Sequence, residues 1–327
     1  MLRENGQFPF KKIVVTGGAG FLGKFIVEEL NKFSGVEVFV ARSLEFDLTR
    51  EEDAARLLAQ TQPELVIHAA GIVGGIGYTR TNPATSFYGN LTMGINMLEQ
   101  SRRAGVKKFL GVGTVCAYPK FTPVPFQEEN VWDGYPEETN APYGLAKKML
   151  LVYGQALREQ FGFNAIHLLL ANLYGVGDDF HPSNSHVIPA LIRRCDEARR
   201  ERRDFIEVWG TGTASREFLY VEDAAEAIVR AAAFYDDAEP VNVGAGREIS
   251  IKNLVQMIAQ ITDFTGEILW DPTKPDGQPR RCLDVSKAAS RFGFRAETSF
   301  EDGLRKTYDW YSRLRELNPE ALEKTLN

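Results

Sequence analysis

The chain has 327 residues, of which 44% are hydrophobic and 25% charged, and it carries a formal net charge of −6 with a pI near 5.5. This length suits about two domains with substantial cores. The acidic balance argues against nucleic-acid binding through bulk positive charge, although local basic pockets for phosphates stay possible. No stretch reaches the roughly 18 apolar residues of a membrane span, and the N-terminus has no apolar signal core. We expect a cytosolic protein without a membrane or nucleic-acid partner.

The three cysteines give no sign of a cross-linked or metal-bound fold. Cys116, Cys195 and Cys282 lie far apart, and none belongs to a Cys-x-x-Cys pair. This spacing fits neither a disulfide framework nor a zinc site, so we expect no metal. The simplest interpretation of each cysteine is a small buried apolar side chain.

A glycine-rich turn follows the first predicted strand. The strand KKIVVT covers residues 11–16, the turn GGAGFLG covers residues 17–23, and a helical pattern then continues to Phe33. Gly17 permits a tight turn, Gly20 lets the backbone approach a pyrophosphate, and Gly23 allows the helix to pack closely on the strand. The helix N-terminus then faces the phosphates, so the turn predicts a dinucleotide site.

The tip of the second predicted strand indicates which dinucleotide is bound. This strand covers residues 36–41, and Arg42 and Ser43 follow it, about 20 residues after the glycines. An NAD site usually has an acidic residue there for the ribose 2′-OH, whereas an arginine suits a 2′-phosphate. Arg42 therefore favours NADP, and Asp47 could meet the adenine amino group.

The order of the predicted elements indicates an α/β fold. Apolar strands at residues 65–70, 109–113 and 166–171 alternate with helices at about 83–104 and after residue 140. Such alternation predicts a doubly wound parallel sheet. His68 lies inside one of these apolar strands and is expected to be a core histidine. Further helices are predicted at residues 187–203, 250–262, 285–292 and 300–315.

The stretch APYGLAK at residues 141–147 contains a candidate proton donor. Asn140 can cap a helix and Pro142 suits its first turn, so Tyr143 and Lys147 fall one turn apart on one face. An ammonium beside a phenol favours the phenolate, so we expect the pKa of Tyr143 to fall. Such a phenol can exchange a proton with a carbonyl or alcohol oxygen. The spacing occurs by chance in many helices, and it gains meaning from the glycine turn.

With the glycine turn, the Tyr143–Lys147 pair and a hydroxyl at Thr114, the chain resembles the extended short-chain dehydrogenase/reductase family. Within it, four stretches resemble the GDP-L-fucose synthase family. They are VGGI at residues 73–76, CAYPK at 116–120, KPDGQPR at 274–280, and the block from NLYG at residue 172 through DFHPSNSHVIPALIRR to residue 194. The resemblance covers about residues 11–315.

The resemblance implies a two-domain arrangement around an NADP(H) site. The Rossmann domain would comprise residues 1–174 plus about 217–246. A smaller, mainly C-terminal domain of about 175–216 plus 247–327 would bind the nucleotide-sugar. Members of the family are expected to form homodimers through the helices around residues 85–104 and 143–161.

The resemblance also implies a reduction at C4 of a GDP-4-keto sugar, with hydride supplied by NADPH. Tyr143 would protonate the C4 oxygen, and Lys147 would hold the nicotinamide ribose and lower the pKa of the tyrosine. Thr114 would hydrogen-bond the same oxygen, where relatives more often have serine. Threonine keeps the hydroxyl but adds a methyl group and stiffens χ1.

Two stereocentres beside the keto group would be inverted before the reduction. Inversion through an enolate needs a base on one face of the sugar and an acid on the other. Cys116 and His186 match the pair that the family uses, and an ordinary thiol and imidazole both titrate near neutrality. The alternatives are a structural Cys116 and a His186 that caps the following helix. His181 is a competing histidine, and the resemblance favours His186.

The remaining candidate residues follow from the same resemblance. For the nucleotide-sugar it supplies Val187, Leu191, Arg194, Trp209, Arg216 and Arg281. Guanidinium groups suit diphosphate oxygens, and Trp209 offers an aromatic face. The cofactor set implied by the family comprises Gly17, Gly20, Phe21, Leu22, Gly23, Arg42, Asp47, Ala69, Ala70, Tyr143, Lys147, Leu170, Asn172, Leu173 and His186.

The leading hypothesis is an NADPH-dependent 3,5-epimerase and 4-reductase that makes GDP-L-fucose from GDP-4-keto-6-deoxy-D-mannose. The closest alternative is the same chemistry, or 4-reduction alone, on another GDP-4-keto sugar such as a colitose or heptose precursor. A 4,6-dehydratase fits less well, because those enzymes usually have Asp-Glu where Val115 and Cys116 stand here. A non-catalytic NADP sensor on the same scaffold is the alternative from a different class.

Overall fold

The computed structural model describes residues 7–274 and 276–317. The predictions that fall on residues 1–6, 275 and 318–327 lie outside the described residues. In chain order the α-helices are α1 (Phe21–Leu30), α2 (Glu51–Thr61), α3 (Ile76–Thr81), α4 (Pro83–Arg103), α5 (Ala141–Phe161), α6 (Val187–Arg200), α7 (Val221–Phe234), α8 (Ile251–Ile261), α9 (Ser286–Phe292) and α10 (Phe300–Leu317). The strands are β1 (Lys12–Thr16), β2 (Glu37–Ala41), β3 (Leu65–His68), β4 (Lys108–Thr114), β5 (Ala165–Leu170), β6 (Asn172–Tyr174), β7 (Phe205–Trp209), β8 (Ser215–Tyr220), β9 (Val241–Val243), β10 (Glu248–Ser250) and β11 (Glu267–Asp271).

Six strands form one parallel sheet in the order β2-β1-β3-β4-β5-β9. Helices α1 and α7 pack together on one face, and α4 and α5 on the other. The doubly wound α/β fold is thereby confirmed. The strand order reverses between β1 and β3, so a crevice opens at their carboxyl ends, where such sheets bind ligands.

A second apolar core lies around two smaller sheets, β10-β8-β6 and β11-β7. It receives buried side chains from α6, α8 and α10, among them Ile192, Ile258 and Leu304. Strand β11 pairs in parallel with β7 and was not predicted, because only one edge of it is paired and its side chains are no more than half-buried. This core supports α6, the helix that follows the candidate residue His186.

The helix predicted at about 83–104 is confirmed as α4, and a short helix that was not predicted, α3, precedes it. A break at Asn82, with φ −127° and ψ 44°, separates α3 from α4. Proline disfavours helical backbone in the residue before it, and Pro83 follows directly. Helix α2 was also not predicted. No helix within the described ranges is long and apolar enough to span a membrane.

Buried Asp196 links the helix after His186 to the C-terminal helix. Its carboxylate accepts hydrogen bonds from Arg199 and Arg200 of α6, each at 2.9 Å, and from Arg315 of α10 at 2.8 Å. The positive partners lower the pKa of the Asp196 carboxyl against the effect of burial. Several of the arginines on α6 are therefore committed to ion pairs inside the protein. Arg194 makes no ion pair within the described residues.

Candidate active site

The glycine turn brings the ends of β1 and β3 into direct contact. Gly17 has φ +71°, and a Cβ there would lie 2.7 Å from the backbone nitrogen of Ala70. A Cβ at Gly23 would lie 2.0 Å from the carbonyl oxygen of Gly17. Gly20 begins α1, and no side chain caps its first turn. The cradle therefore fits a pyrophosphate held by backbone N–H groups at a helix N-terminus.

The two residues predicted at the adenosine end both lie at the surface. Arg42 follows β2, is exposed and forms no ion pair among the described residues, so its guanidinium is free to bind a phosphate. Asp47 is exposed and uses one carboxylate oxygen to accept hydrogen bonds from the Thr49 amide at 3.0 Å and the Thr49 hydroxyl at 2.7 Å. Its second oxygen remains available to an amino group.

Helix α5 presents Tyr143 to the end of β4. The Tyr143 hydroxyl lies near the hydroxyl of Thr114, the last residue of that strand, and this neighbour acts to lower the pKa of the phenol. Thr114 also accepts a hydrogen bond from the Cys116 amide at 3.2 Å. Asn140 occupies the N-cap position of α5 as predicted, but its side chain does not cap the helix. It donates instead to buried Glu137, at 3.1 Å.

Lys147 is buried one turn after Tyr143, and its Nζ donates to the carbonyl oxygen of Ala70 at 3.4 Å. Burial lowers the pKa of Lys147 to about 8. Burial also raises the pKa of Tyr143, with Cys116 acting in the same direction and the Thr114 hydroxyl opposing it. The pKa of Tyr143 therefore moves opposite to the expectation from the spacing, because removal from water outweighs the other influences.

Cys116 stands beside both Tyr143 and a buried arginine. It belongs to a short 3-10 turn, Val115–Ala117, on which α5 packs so tightly that a Cβ at Gly144 would lie 2.1 Å from the Cys116 carbonyl oxygen. The Cys116 thiol is partly buried, and Arg281 Nη1 lies 3.5 Å from its Sγ. Cys195 and Cys282, by contrast, are buried core residues. The structure thus brings together the predicted phenol, thiol and guanidinium.

His186 lies at the start of α6 with its side chain accessible. It occupies the N-cap position, yet no side-chain hydrogen bond caps the helix, so the capping role considered for it is absent. The residue is exposed overall. Desolvation of the imidazole nevertheless lowers its pKa, against the opposing charge of Asp179.

The backbone positions the His186 segment on the loop after β3. Gly75 donates its N–H to the carbonyl oxygen of Asn184 at 2.7 Å, and a Cβ at Gly75 would lie 2.3 Å from the Ser185 carbonyl oxygen. The competing His181 is bonded locally, since the Ser183 hydroxyl and amide both approach its Nδ1, at 2.7 and 3.2 Å. His68 is a core histidine as predicted, with Nδ1 2.8 Å from the Thr16 hydroxyl.

The predicted substrate residues differ in their surroundings. Trp209 is exposed, and the ammonium of Lys274 lies 5.7 Å from its ring centroid. Arg194 donates to the Glu207 carbonyl oxygen at 3.2 Å. Val187 is partly buried, whereas Leu191 packs in the second core and is only 3% exposed. The structure therefore places Leu191 in the core and not on the open surface of the cleft.

Arg216 lies close to Cys116 and Arg281. Its guanidinium donates to two carbonyl oxygens, those of Ser215 at 2.7 Å and Asp276 at 3.0 Å. Burial, with the positive charge of Arg281, lowers its pKa to about 10. Neither Arg216 nor Arg281 makes an ion pair within residues 7–274 and 276–317. Two desolvated guanidinium groups without a carboxylate partner make this end of the cleft suitable for an anion.

The other predicted cofactor residues surround the same crevice. Asn172 donates its side-chain N–H to the Glu217 carbonyl oxygen at 2.9 Å. The remaining members are the partly buried Phe21, Leu22, Ala69 and Leu173, and the buried Leu170. Gln278 was missed by sequence reasoning: it is buried and bonds both Arg281 and the loop after Cys116. Its only sequence signal was its place within the KPDGQPR stretch.

Comparison with known families agrees with this geometry. Residues 13–244 match the model of the NAD dependent epimerase/dehydratase family. The chain belongs to that family. The matched range runs from β1 to the end of β9, and therefore includes the glycine turn, Tyr143, Lys147 and His186.

Relatives within the NAD dependent epimerase/dehydratase family match nearly the whole chain. The sequence is 42% identical over 300 residues to GDP-L-fucose synthase 1 of Arabidopsis thaliana, covering 92% of this chain and 93% of that protein. A GDP-6-OMe-4-keto-L-xylo-heptose reductase from C. jejuni has a TM-score of 0.86 at 27% identity, covering 92% and 97% of the two chains. A GDP-L-fucose synthetase from Naegleria fowleri bound to NADP has a TM-score of 0.82 at 27% identity, covering 94% and 95%. The resemblance to the GDP-L-fucose synthases is confirmed.

Proposed function

We propose that this protein is an NADPH-dependent 3,5-epimerase and 4-reductase that converts GDP-4-keto-6-deoxy-D-mannose to GDP-L-fucose. The observation that carries the proposal is the position of Cys116 beside the Tyr143–Thr114 hydroxyl pair. A plain reductase needs only the hydroxyl pair. A thiol next to it supplies a second group for proton transfer at the carbons that flank the keto group.

The residues present fit an NADP(H) cofactor. The turn at Gly17, Gly20 and Gly23 would hold the pyrophosphate, since any side chain at Gly17 or Gly23 would collide with backbone. Arg42 would hold the 2′-phosphate and Lys147 the nicotinamide ribose. When bound, NADPH supplies the hydride for the reduction at C4.

For the reduction, Tyr143 donates its phenolic proton to the C4 oxygen while Thr114 hydrogen-bonds the same oxygen. A raised pKa of the phenol in this desolvated site keeps the proton on Tyr143 until the C4 oxygen becomes basic. Lys147, with its pKa lowered to about 8, is suited to pass a proton onward near neutral pH.

For each inversion, one of Cys116 and His186 removes the carbon-bound proton and the electron pair moves onto the C4 oxygen as an enolate. The other group then returns a proton to the same carbon from the opposite face. The assignment of the two groups to these roles follows the family resemblance. It is supported by the accessible, uncapped imidazole of His186 and the partly buried thiol of Cys116.

The GDP moiety is proposed to lie along Trp209, Arg194 and Arg216. Trp209 has an exposed ring that can stack on a base, and the two guanidinium groups lack carboxylate partners among the described residues. Val187 and the backbone at Leu191 would border this part of the site. These residues belong to a proposed substrate domain of about 175–216 plus 247–327, next to a Rossmann domain of 1–174 plus about 217–246.

The test is product analysis by NMR and mass spectrometry with NADPH and GDP-4-keto-6-deoxy-D-mannose in deuterated water. The expected product is GDP-L-fucose with deuterium at C3 and C5. Cys116→Ser should lower the deuterium incorporation by about a hundredfold, because an alcohol is a far weaker acid than a thiol. Unchanged incorporation in Cys116→Ser would remove the thiol from the proposal.

A second candidate is the same chemistry on a GDP-4-keto heptose, favoured by the TM-score of 0.86 to the C. jejuni heptose reductase. A panel of GDP-4-keto sugars, compared by kcat/KM, separates the two candidates. Tight NADP binding without turnover on any member of the panel would instead support the sensor alternative.

We further propose that the protein forms a homodimer in the cytosol. Helices α4 and α5 pack side by side and expose Tyr88, Ile95, Met149 and Val152 to solvent. Apolar side chains clustered in this way suit a protein interface. We expect sedimentation equilibrium to give a dimer mass, and Val152→Glu to give a monomer.

The three free thiols agree with a reducing compartment, as the proposed location in the cytosol requires.

A further inference from the structure

Gln278 joins two segments that are distant in the sequence, residues 119–120 and residues 278–281. Its amide nitrogen donates to the carbonyl oxygens of Lys120, at 2.9 Å, and Pro119, at 3.3 Å. Its amide oxygen accepts from Arg281 Nε at 3.1 Å and from Nη2 at 2.9 Å. Gln278 is 3% exposed and Arg281 is 6% exposed. The amide therefore fixes the guanidinium against the loop that follows Cys116.

This arrangement directs one nitrogen of Arg281 at the thiol. Nε and Nη2 form the edge of the guanidinium that binds carboxylates or phosphates in pairs, and Gln278 occupies that edge. Nη1 points the other way and lies 3.5 Å from Cys116 Sγ. The geometry thus favours a contact with the sulfur over a paired contact with a diphosphate.

We propose that Arg281 is the counter-ion of the Cys116 thiolate, and that Gln278 is a positioning residue that holds Arg281 in place. The proposal rests on the proposed function, in which Cys116 transfers protons at the sugar carbons. It gives Arg281 a task other than the diphosphate contact predicted from sequence, and Gln278 a task that the sequence did not reveal.

The proton balance gives the counter-ion its place in the reaction. When the Cys116 thiolate takes the proton from the carbon, the C–H bond breaks, an S–H bond forms and the electron pair moves to the C4 oxygen. The thiolate must exist before this step, and in a partly desolvated site a guanidinium at 3.5 Å stabilises it. After each inversion the thiol returns its proton to solvent, which restores the thiolate, and His186 regains from solvent the proton that it gave to the carbon.

The test measures alkylation of Cys116 by iodoacetamide in the full-length protein, followed by peptide mass spectrometry. No substrate is needed, so the result does not depend on which sugar the enzyme uses. Arg281→Met is expected to slow alkylation about tenfold at pH 7, because the thiolate loses its counter-ion. At pH 9.5 the variant is expected to react at least as fast as the wild type, because a thiolate that keeps only Arg216 as a cationic neighbour is intrinsically more nucleophilic.

Three variants separate charge from shape. Arg281→Lys keeps the charge and should stay within about threefold of the wild type at pH 7. Arg280→Met removes the adjacent arginine, which pairs with Glu248 on the surface, and should leave both rates unchanged. Gln278→Glu keeps an acceptor for Arg281 but places a negative charge beside the guanidinium, so it should slow alkylation at pH 7 about as much as Arg281→Met.

A wild-type rate of alkylation in Arg281→Met at pH 7, or equal slowing at both pH values, would contradict the proposal that Arg281 is the counter-ion of the thiolate. Equal slowing in Arg281→Lys and Arg281→Met would show that shape matters and charge does not, which also overturns it. Gln278→Glu with wild-type rates would leave Gln278 without a positioning role. If Arg281→Met does not bind NADPH and so fails a test of folding, Gln278→Glu decides the question by itself.

Discussion

The two walls of the cleft are held together in different ways. The cofactor wall, residues 17–23 with Ala70 behind them, is local in sequence and depends on close backbone contact, with a Cβ at Gly23 only 2.0 Å from a carbonyl oxygen. The substrate wall, residues 116–120, 181–186 and 276–281, contains single hydrogen bonds between distant segments, such as that from Gln278 to Pro119 across 159 residues. The first wall tolerates no side chain at Gly17 or Gly23. The second also has close backbone contacts, at Ser185 with Gly75 and at Cys116 with Gly144, and it adds side-chain hydrogen bonds between distant segments.

The largest effect is expected at Tyr143, which stands between the two walls. Tyr143→Phe removes the proton donor and should lower the rate of reduction by at least about a thousandfold. NADPH affinity should change less than about threefold, because the hydroxyl lies near Thr114 and not at the glycine turn. Stopped-flow absorbance and fluorescence titration measure the two quantities. Reduction at more than about a tenth of the wild-type rate would contradict the assigned role.

The next largest effect concerns Lys147, which contacts the cofactor wall at Ala70. Its pKa is lowered by burial from 10.5 to about 8, so the native state loses a proton that the unfolded chain keeps between these pH values. Stability should therefore rise with pH across this window, because burying the charged form costs free energy below it. Relative to Lys147→Met, the wild type should gain up to about 3 kcal/mol between pH 7 and 10.5 in urea unfolding. If the unfolding free energies of the two proteins change in parallel with pH, the lowered pKa of Lys147 would be contradicted.

A direct comparison of the walls comes from adding one methyl group to each. Gly23→Ala places a Cβ 2.0 Å from the Gly17 carbonyl oxygen and should cost about 2 kcal/mol in unfolding free energy. Gly134→Ala, beside the substrate wall, meets only the Pro119 side chain at 3.5 Å and should cost less than about 0.5 kcal/mol. Urea denaturation measures both. Equal costs would remove the distinction between the backbone contact at Gly23 and the side-chain contact at Gly134.

The smallest effect is expected at the edge of the cofactor wall. Arg42→Ala should weaken NADPH about tenfold and NADH less than about twofold, because only NADPH carries the 2′-phosphate. The difference should shrink at 0.5 M salt, since Arg42 is exposed and its charge is screened. Isothermal titration with both cofactors measures the ratio, and equal losses would contradict the assignment to a 2′-phosphate.

The cofactor wall could be predicted from the sequence because its signals are local. Three glycines at fixed spacing after an apolar strand determine a turn wherever the chain folds as strand and helix. Helix α2 also carried a local signal that was overlooked: three acidic residues in its first turn, followed by buried residues at 54, 57 and 58. The helix has few apolar residues overall, and for this reason its amphipathic pattern was not recognised in the sequence.

The substrate wall could be predicted only through the resemblance, and incompletely. Nothing near Gln278 in the sequence indicates that its amide meets Lys120, because that contact exists only after folding. The same limit explains why the pKa of Tyr143 is raised, whereas the helical spacing predicted a lowered pKa. Spacing in a helix identifies a neighbouring lysine, whereas the desolvation that dominates the shift depends on elements packed from elsewhere.

Gly144 lets the helix that carries Tyr143 pack directly on the backbone of Cys116. Because the helix that carries Tyr143 touches the main chain of Cys116, we expect the backbone segments of these two residues to move together. In the proposed reaction, a backbone held in this way would keep both groups in place, so the sugar ring would have to present its carbons to them in turn. We expect half-inverted sugars to remain bound until the hydride step commits them.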